Sequence, residues 1–516
     1  MVTVAGSRAG KGVSAIIPNL CLWPGSCVVI DPKGENAART AATRAARPGH
    51  KVVVIDPYLV SGVPDALLGS FNPFDLIDVT SDSAIDIAGA IGDALVVPSG
   101  GHEVHWDESS RQLIEGLILH VAATEGGGES TLGRLRALLT QGDADMAEMV
   151  TERTGKPMDR FAALWSHMES ADIANPHVKG VVDGASQSLR AMGDNERGSV
   201  LSTARRNTKF LDSPAVANVL TTSSFSLDEL KTASGGMTVY LCLPARFLAT
   251  HARFLRLILN LVLFRMEAVG LNAPATGHPV LFVMDEFAAL GRLEVIEKAA
   301  GLMAGYGVKL WPVLQDLTQL KRHYQESWET FLGNAGMLQF FGNTDLTTLE
   351  WISKRMGEAQ VVVETKGSSS QTSTGTGTST TDGETHGQSR SEGANDGQSQ
   401  MAALSSLQGR QGGEGLMSLF TRSGASDVSH STGKSITTGL SAQASTSKGA
   451  STSTSESETV SLNRTAHARP LMRVDEIAKA FDRATGLQLV FIGGDGPLVT
   501  RRSRYYDDPQ FLELYT

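Results

Sequence analysis

Val2-Thr3-Val4 runs without a break into Ala5-Gly6-Ser7-Arg8-Ala9-Gly10-Lys11-Gly12 and then into the apolar stretch 13–17, Val-Ser-Ala-Ile-Ile. A short strand, a glycine-rich turn carrying Gly-Lys and a helix start form the arrangement that cradles phosphates on backbone N–H groups and a helix N-terminus. Gly6, Ser7, Arg8, Ala9, Gly10, Lys11, Gly12 and Val13 are therefore the expected nucleotide-binding residues, with Lys11 neutralising phosphate charge. The stretch departs from Gly-x-x-x-x-Gly-Lys-[Ser/Thr] at both ends. Ala5 stands at the first glycine, and Gly12 where a Mg2+-binding hydroxyl belongs. Gly6 can supply the tight turn, and Ser14 or an ordered water can reach the metal. The plain alternative is a turn in a glycine-rich chain, since Gly numbers 54.

The chain of 516 residues is long enough for two or three domains. Its formal charge of −10 excludes a protein that binds nucleic acid through overall basicity, so any basic surface must be local. Cys21, Cys27 and Cys242 lie in apolar contexts without metal spacing and read as buried thiols of a reducing compartment. The longest apolar candidate, 254–266, is broken by Arg256, Asn260 and Arg265, so neither a bilayer span nor a signal peptide is expected and the chain reads as soluble.

Strand and helix patterns alternate as in an α/β fold. Residues 26–30 and 51–55 read as buried parallel strands closing on Asp31-Pro32 and Asp56-Pro57. Acids at strand ends are common at the ligand crevices of doubly wound sheets. From 105 to 222 the period becomes helical, at 109–122, 131–139, 158–168 and 180–192. The sheet resumes at 237–243, followed by a long helix over 249–269.

A second motif follows. The apolar strand 280–284 ends in Asp285-Glu286, the Walker B arrangement, in which the Asp holds the Mg2+ shell and the Glu polarises the attacking water. One strand later, 308–314 ends in Gln315-Asp316, an amide placed to sense the γ-phosphate or simply to cap the strand end.

Together these residues resemble the type IV secretion coupling proteins of the TraG family. The resemblance is carried by Ala5 to Pro18, Trp23-Pro24-Gly25-Ser26, Asp31-Pro32-Lys33-Gly34-Glu35 and Asp285-Glu286-Phe287-Ala288-Ala289-Leu290-Gly291. It continues through Gln315-Asp316-Leu317-Thr318-Gln319-Leu320, Thr330-Phe331-Leu332-Gly333-Asn334-Ala335 and Phe341-Gly342-Asn343-Thr344-Asp345, and it closes on Arg469-Pro470-Leu471, Asp475-Glu476 and Arg504-Tyr505-Tyr506. It implies a RecA-like P-loop NTPase core with ATP and Mg2+ as cofactors. It also implies a homo-hexameric ring that hands DNA or proteins (relaxosome or effector) to a type IV secretion channel. Gly12 in the hydroxyl position is then a family habit, and 105–222 the family's all-alpha domain, implicated in substrate recognition. The family works at the inner membrane on its cytoplasmic face and normally begins with transmembrane helices. None precedes the phosphate loop here, so the chain is expected to be a fragment, a split-gene product, a sequence begun at an internal Met or a naturally soluble relative.

The expected organisation is a nucleotide-binding domain in three pieces, 1–104, 223–365 and 461–516, interrupted by the all-α domain 105–222 and a low-complexity insertion 366–460. That insertion is dominated by Ser, Thr, Gly and Gln, has one aromatic (Phe420) and no proline, and is expected to be disordered. An apolar patch at 401–407 with 416–420 is a candidate transient helix. The strand 360–364 precedes the insertion, and 476–481 and 487–492 return to the core, so it is a loop and not a tail.

In roles, Lys11, Glu286 and Gln315 are the catalytic candidates and Asp285 the metal ligand. Arg355 or Arg322 is the candidate arginine finger. Arg205-Arg206, Lys321-Arg322 and Arg501-Arg502-Arg504 are candidate phosphate contacts for sequence-independent DNA binding. The rival readings are a non-hydrolysing recruitment adaptor and an FtsK-like pump, which would carry a sequence-reading winged-helix end domain; 487–516 shows none.

Overall fold

Runs rich in valine and isoleucine, buried on both faces, make the centre of the sheet. The computed structural model describes residues 1–97, 104–126, 128–377, 390–398, 430–438, 451–493 and 495–512. Its strands are β1 (Val2–Ala5), β2 (Cys27–Asp31), β3 (Lys51–Ile55), β4 (Met237–Cys242), β5 (Val280–Met284), β6 (Val308–Leu314), β7 (Met337–Phe341), β8 (Glu358–Gly377), β9 (Arg390–Gln398), β10 (His430–Thr438), β11 (Ser451–Pro470), β12 (Leu487–Ile492) and β13 (Leu498–Arg501). The chain divides into two compact units: Met1–Thr347 with Phe481–Asp495 and Thr500–Thr516, and Thr348–Ala480 with Gly496–Val499.

In the first unit the strand order is β12-β7-β1-β6-β5-β2-β4-β3. All neighbours from β7 to β3 are parallel, and β12 joins β7 antiparallel. This is the RecA-like P-loop NTPase sheet. β6 lies between β1 and β5, so the loops after β1, β6 and β5 share one edge.

Register is pinned by a chain of polar side chains crossing the sheet. Trp311 Nε1 on β6 donates to Thr3 Oγ1 at 2.9 Å, and Thr3 Oγ1 donates to Gln339 Oε1 at 2.8 Å. Gln339 Nε2 donates to Gln488 Oε1 at 2.6 Å, and Gln488 Nε2 to Thr500 Oγ1 at 2.9 Å. Thr3 is fully buried. Thr3→Val keeps its shape but orphans the Trp311 donor and one Gln339 acceptor, and roughly 2–6 kcal/mol of stability should go at about 1–3 per orphaned group. Urea denaturation reads this directly; an unchanged midpoint would mean the ladder is not a stabilising element.

Arg44 is a buried cation held by carbonyls. Its Nη1 donates to Leu20 O at 2.5 Å and Trp23 O at 3.0 Å, its Nη2 to Gly25 O at 2.7 Å, and its Nε to Thr238 Oγ1 at 2.6 Å. His50, 7% exposed, sits beside it. Burial first, then the Arg44 charge, push the His50 imidazole down to about 4. A base depressed on folding stabilises fully above its unfolded pKa and loses that contribution as pH falls from about 6.5 to about 4. Between pH 7 and 5 wild type should lose about 2 kcal/mol more than His50→Gln. Parallel losses in the two proteins would contradict the assignment.

Between β3 and β4 the described residues hold no strand. Helices span Val104–Thr124, Leu132–Gln141, Ala144–Thr154, Arg160–Ser170, Pro176–Ala191 and Asp194–Thr208. Thr131, Asp143, Asp159 and Asn175 each cap a following helix through a side-chain oxygen. The helix Ala245–Ala268 is long and apolar enough to cross a membrane, yet it is a core helix here. Phe254, Leu255, Leu257, Ile258, Leu259, Leu261, Val262 and Met266 are all buried. Arg265 pairs with Asp228 at 2.8 Å, and Lys231 donates to the Met266 and Gly270 carbonyls at the helix end.

In the second unit β8 pairs antiparallel with β11 from Glu358 opposite Pro470 to Gly377 opposite Ser451, and β9 pairs with β10. The ribbon therefore extends into the stretch expected to lack order. An antiparallel ladder satisfies backbone groups without a core, and this one starts from the β-forming run Val361-Val362-Val363. Residues 378–389, 399–429 and 439–450, with the candidate helix at 401–407 and 416–420, lie outside the described residues. The expected strand 360–364 is part of β8, whereas 476–480 falls in the helix Val474–Ala480.

Candidate functional site: a phosphate loop facing paired carboxylates

The glycines of the loop are required by contact and by backbone angle. A Cβ on Gly6 would stand 1.8 Å from Gly342 O, and one on Gly342 (φ +64) would stand 2.5 Å from Ala9 Cβ. Gly6 N–H donates to Phe341 O at 3.1 Å. Gly6 thus takes the tight turn that Ala5, the last residue of β1, does not make. Arg8 (φ 58) and Gly10 (φ 89) both lie in the left-handed region. Such alternation turns successive N–H groups into an anion-binding concavity. The following helix opens with a π-turn over Gly12–Ile16 and continues as α over Ile17–Leu22. The N–H groups of its first turn have no intrahelical acceptor. Ser14 Oγ donates to Gly10 O at 2.7 Å and so braces the loop. A Cβ on Gly12 would meet nothing within 4 Å, so packing does not demand glycine there.

Lys11, Asp285, Glu286 and Gln315 converge. Lys11 Nζ lies 3.0 Å from Asp285 Oδ1 and 2.8 Å from Glu286 Oε1. Gln315 Nε2 donates to Glu286 Oε2 at 3.2 Å. Asp316, and not Gln315, caps the next helix, accepting from Gln319 N–H at 3.1 Å. Glu286 has φ 52, a left-handed conformation that costs a non-glycine residue about 1–2 kcal/mol. Its N–H is held by Asp285 Oδ1 at 3.0 Å. Backbone strain of this kind collects at functional sites.

The electrostatics follow from the geometry. Burial pushes the Glu286 carboxyl up, but the Lys11 hydrogen bond and charge, then the Gln315 amide, outweigh it and hold the group below its ordinary value. Burial also works against the Lys11 ammonium, and Asp285 and Glu286 overcome it and raise the lysine. Asp31, at the end of β2 beside β5, is 1% exposed. Burial pushes it up to about 7; the Ala37 N–H bond at 2.8 Å opposes this and the Asp285 charge adds to it.

The loop also has a brace that the sequence did not disclose. Arg502 donates to Ala9 O and, at 2.8 Å, to Arg483 O, with its guanidinium 4.8 Å from the Phe341 ring centre. Tyr505 N–H donates to Val13 O at 3.1 Å. Arg502 is therefore turned into the fold. Arg205 is likewise engaged, donating to Leu139 O at 2.7 Å, and Lys321 lies 4.8 Å from the Trp328 ring. Arg322 is exposed in the last turn of the helix Leu317–Tyr324; Arg355, in the second unit, is exposed in the last turn of Leu346–Met356. β7 was not read as a strand, although it pairs directly with β1; its Met-Leu-Gln-Phe-Phe run before Gly342-Asn343 was the available signal.

The donor set fits a magnesium nucleotide. Helix-start N–H groups and a protonated lysine suit phosphate, and a carboxylate suits Mg2+, which keeps several waters and needs few protein ligands.

Comparison with known proteins gives a consistent result. The conjugal transfer protein TraG of Escherichia coli is 28% identical over 375 residues, 70% of this chain and 56% of that protein. Protein VirD4 of Agrobacterium fabrum is 29% identical over 365 residues, 69% of this chain and 49% of that protein. The chain thus spans about half the length of the curated relatives it matches. Among solved structures, the bacterial conjugative coupling protein TrwBdeltaN70 matches with a TM-score of 0.55 at 14% identity, over 97% of this chain and 84% of that one. The plasmid coupling protein TrwB in complex with ADP and Mg2+ matches with a TM-score of 0.57 at 13% identity, over 98% of this chain and 85% of that one. These structural likenesses speak for the fold. The model of the type IV secretory system conjugative DNA transfer family matches residues 1–389, and the chain belongs to that family.

Proposed function

We propose that the protein is an ATP-hydrolysing coupling motor that drives DNA, with or without bound protein, towards a type IV secretion channel. The observation that carries this reading is the convergence of Lys11, Asp285, Glu286 and Gln315 within 3.2 Å contacts at the tips of three adjacent strands. Bound Mg2+, which Asp285 would hold, would supply positive charge against the nucleotide's phosphates. Backbone N–H groups of Ser7 to Gly12 hold the phosphates, and Val13 continues the helix start. Lys11 exchanges its carboxylate partners for phosphate oxygens. Asp285, relieved of the ammonium, is the protein's metal ligand. Glu286, kept ionised, orients and deprotonates the water, and Gln315 reports through its bond to Glu286. Catalysis of this kind is positioning and electrostatics.

A homo-hexameric ring and an inner-membrane setting on the cytoplasmic face belong to the same proposal, with Arg355 or Arg322 offered to a neighbour's site. So does the division of 105–222 as a substrate-facing all-α domain, with nucleotide-binding pieces on either side. TrwB in complex with a non-hydrolysable ATP analogue and with ADP and Mg2+ supports the choice of cofactors. The test is phosphate release with and without single-stranded DNA. Turnover stimulated by DNA and lost in Lys11→Ala supports the motor. Nucleotide binding without turnover in an assembled hexamer would leave the recruitment adaptor.

A further inference from the structure

β3 and β4 end at the same edge of the sheet as β1, and the chain beyond them carries a second cluster. The Tyr58 and Phe247 rings stack with centroids 4.3 Å apart, and His251 lies 5.4 Å from Phe247. The Arg246 guanidinium is 4.9 Å from the Phe247 ring centre. The three rings are half-buried and Arg246 is exposed. Beside Tyr58, Leu59 is 65% exposed and has φ 54, so a large apolar side chain is held outward on a strained backbone.

The cluster continues along the helix Ala245–Ala268. Arg253 lies two turns from Arg246 on the same face. It donates to Asn207 Oδ1 at 3.0 Å and lies close enough to feel the charge of Arg206. Arg206 and Trp106 line one groove of about 490 Å³, whose other walls include Asn195, Ser199 and Ser202. Two acids belong to this region: Asp194, an exposed wall of the groove, pairs with Arg197, and Asp107 pairs with Arg206 at 3.6 Å.

We propose that this aromatic–arginine track is a binding site for single-stranded nucleic acid, with bases stacking at Tyr58–Phe247 and Trp106 and phosphates met by Arg246, Arg253 and Arg206. Interleaved π-faces and guanidinium groups accept any base and follow a charged backbone. Duplex bases, already stacked, could not use them. The track is joined to the phosphate site by its own helix. Arg256, one turn beyond Arg253, donates to Leu290 O at 3.2 Å and Arg292 O at 2.5 Å, in the loop that leaves Asp285-Glu286. The proposal rests on the motor reading and names the surface that grips its substrate.

The experiment uses the full chain, a labelled oligothymidylate of about 30 nucleotides, and Phe247→Leu, Trp106→Leu and Arg246→Gln. Leucine keeps apolar bulk and removes the π-face, and the two aromatic variants lie on separate helices. Each should weaken binding roughly tenfold at unchanged melting temperature and unchanged DNA-free ATP turnover. Arg246→Gln should also flatten the salt dependence by about one counterion. Wild-type affinity in the aromatic variants overturns the track and leaves the motor reading intact. Loss of binding to a basic cargo peptide with oligonucleotide binding retained would assign the surface to protein and overturn it too. A wild-type protein that turns over ATP yet ignores the oligonucleotide sinks the DNA reading and the track together. Binding that the variants lose, in a chain without turnover, sinks the motor alone.

Discussion

Lys11→Ala is expected to lower ATP turnover by roughly 10²–10³-fold, the loss seen when a preorganised charge donor to a transition state is removed. The effect has two parts. The first is direct: the loop keeps its N–H groups but loses its cation, so charge developing on the transferred phosphoryl is met by neutral donors only. The second comes from the partners. Lys11 now sits 3.0 Å or less from both Asp285 and Glu286. Removing it leaves two adjacent carboxylates without their countercharge, and Glu286 should rise from its lowered position. The pH profile of residual turnover should therefore shift upward on its acidic limb. Wild-type turnover in Lys11→Ala would mean that this loop is not the phosphate site.

Glu286→Gln should separate binding from chemistry. The amide is nearly isosteric, keeps an acceptor for Lys11, and accommodates the left-handed backbone (φ 52) as glutamate does. Nucleotide affinity should stay within about threefold, while turnover falls roughly 10²–10⁴-fold with the loss of the general base. Gln315→Ala should be milder on both counts, since it removes one bond at 3.2 Å to an already ionised group. A Glu286→Gln protein that turns over normally would assign water activation elsewhere, with Asp31 the nearest buried carboxylate on the neighbouring strand.

What could be read in the sequence was whatever chemistry writes into consecutive residues. The phosphate loop, Asp285-Glu286 and the strands β2, β3, β5 and β6 are local patterns, and they stand where the sequence put them. The caps Thr131, Asp159 and Asn175 were equally local, and they mark helix starts that apolar periodicity placed only to within a few residues; Asp143 marks one that it did not place. Two of the longer helices within 105–222 escaped. Ala144–Thr154 buries only Ala147, and Asp194–Thr208 is strongly polar, so neither carries a clear apolar stripe. β7 was missed because a five-residue apolar run alone does not announce a strand.

The contacts between distant segments were out of reach for a different reason. The Trp311–Thr3–Gln339–Gln488 ladder, the Gly6–Gly342 contact and the Arg502 brace join residues between 149 and 493 positions apart. Arg502 reads as a candidate phosphate contact for DNA, because a guanidinium stacked on Phe341 and one dissolved in water look the same in a string of letters. Gly12 remains a choice that packing does not explain, since its Cβ position is open.

Binding of a magnesium nucleotide by this loop underlies the proposed function. Calorimetric titration of the full chain with a non-hydrolysable ATP analogue, with and without Mg2+, tests it most directly. The expected result is one site per chain in wild type, strengthened by Mg2+, with the metal dependence lost in Asp285→Asn and binding lost in Lys11→Ala. Absence of binding in the wild-type protein, or affinity indifferent to Lys11 and Asp285, would contradict it.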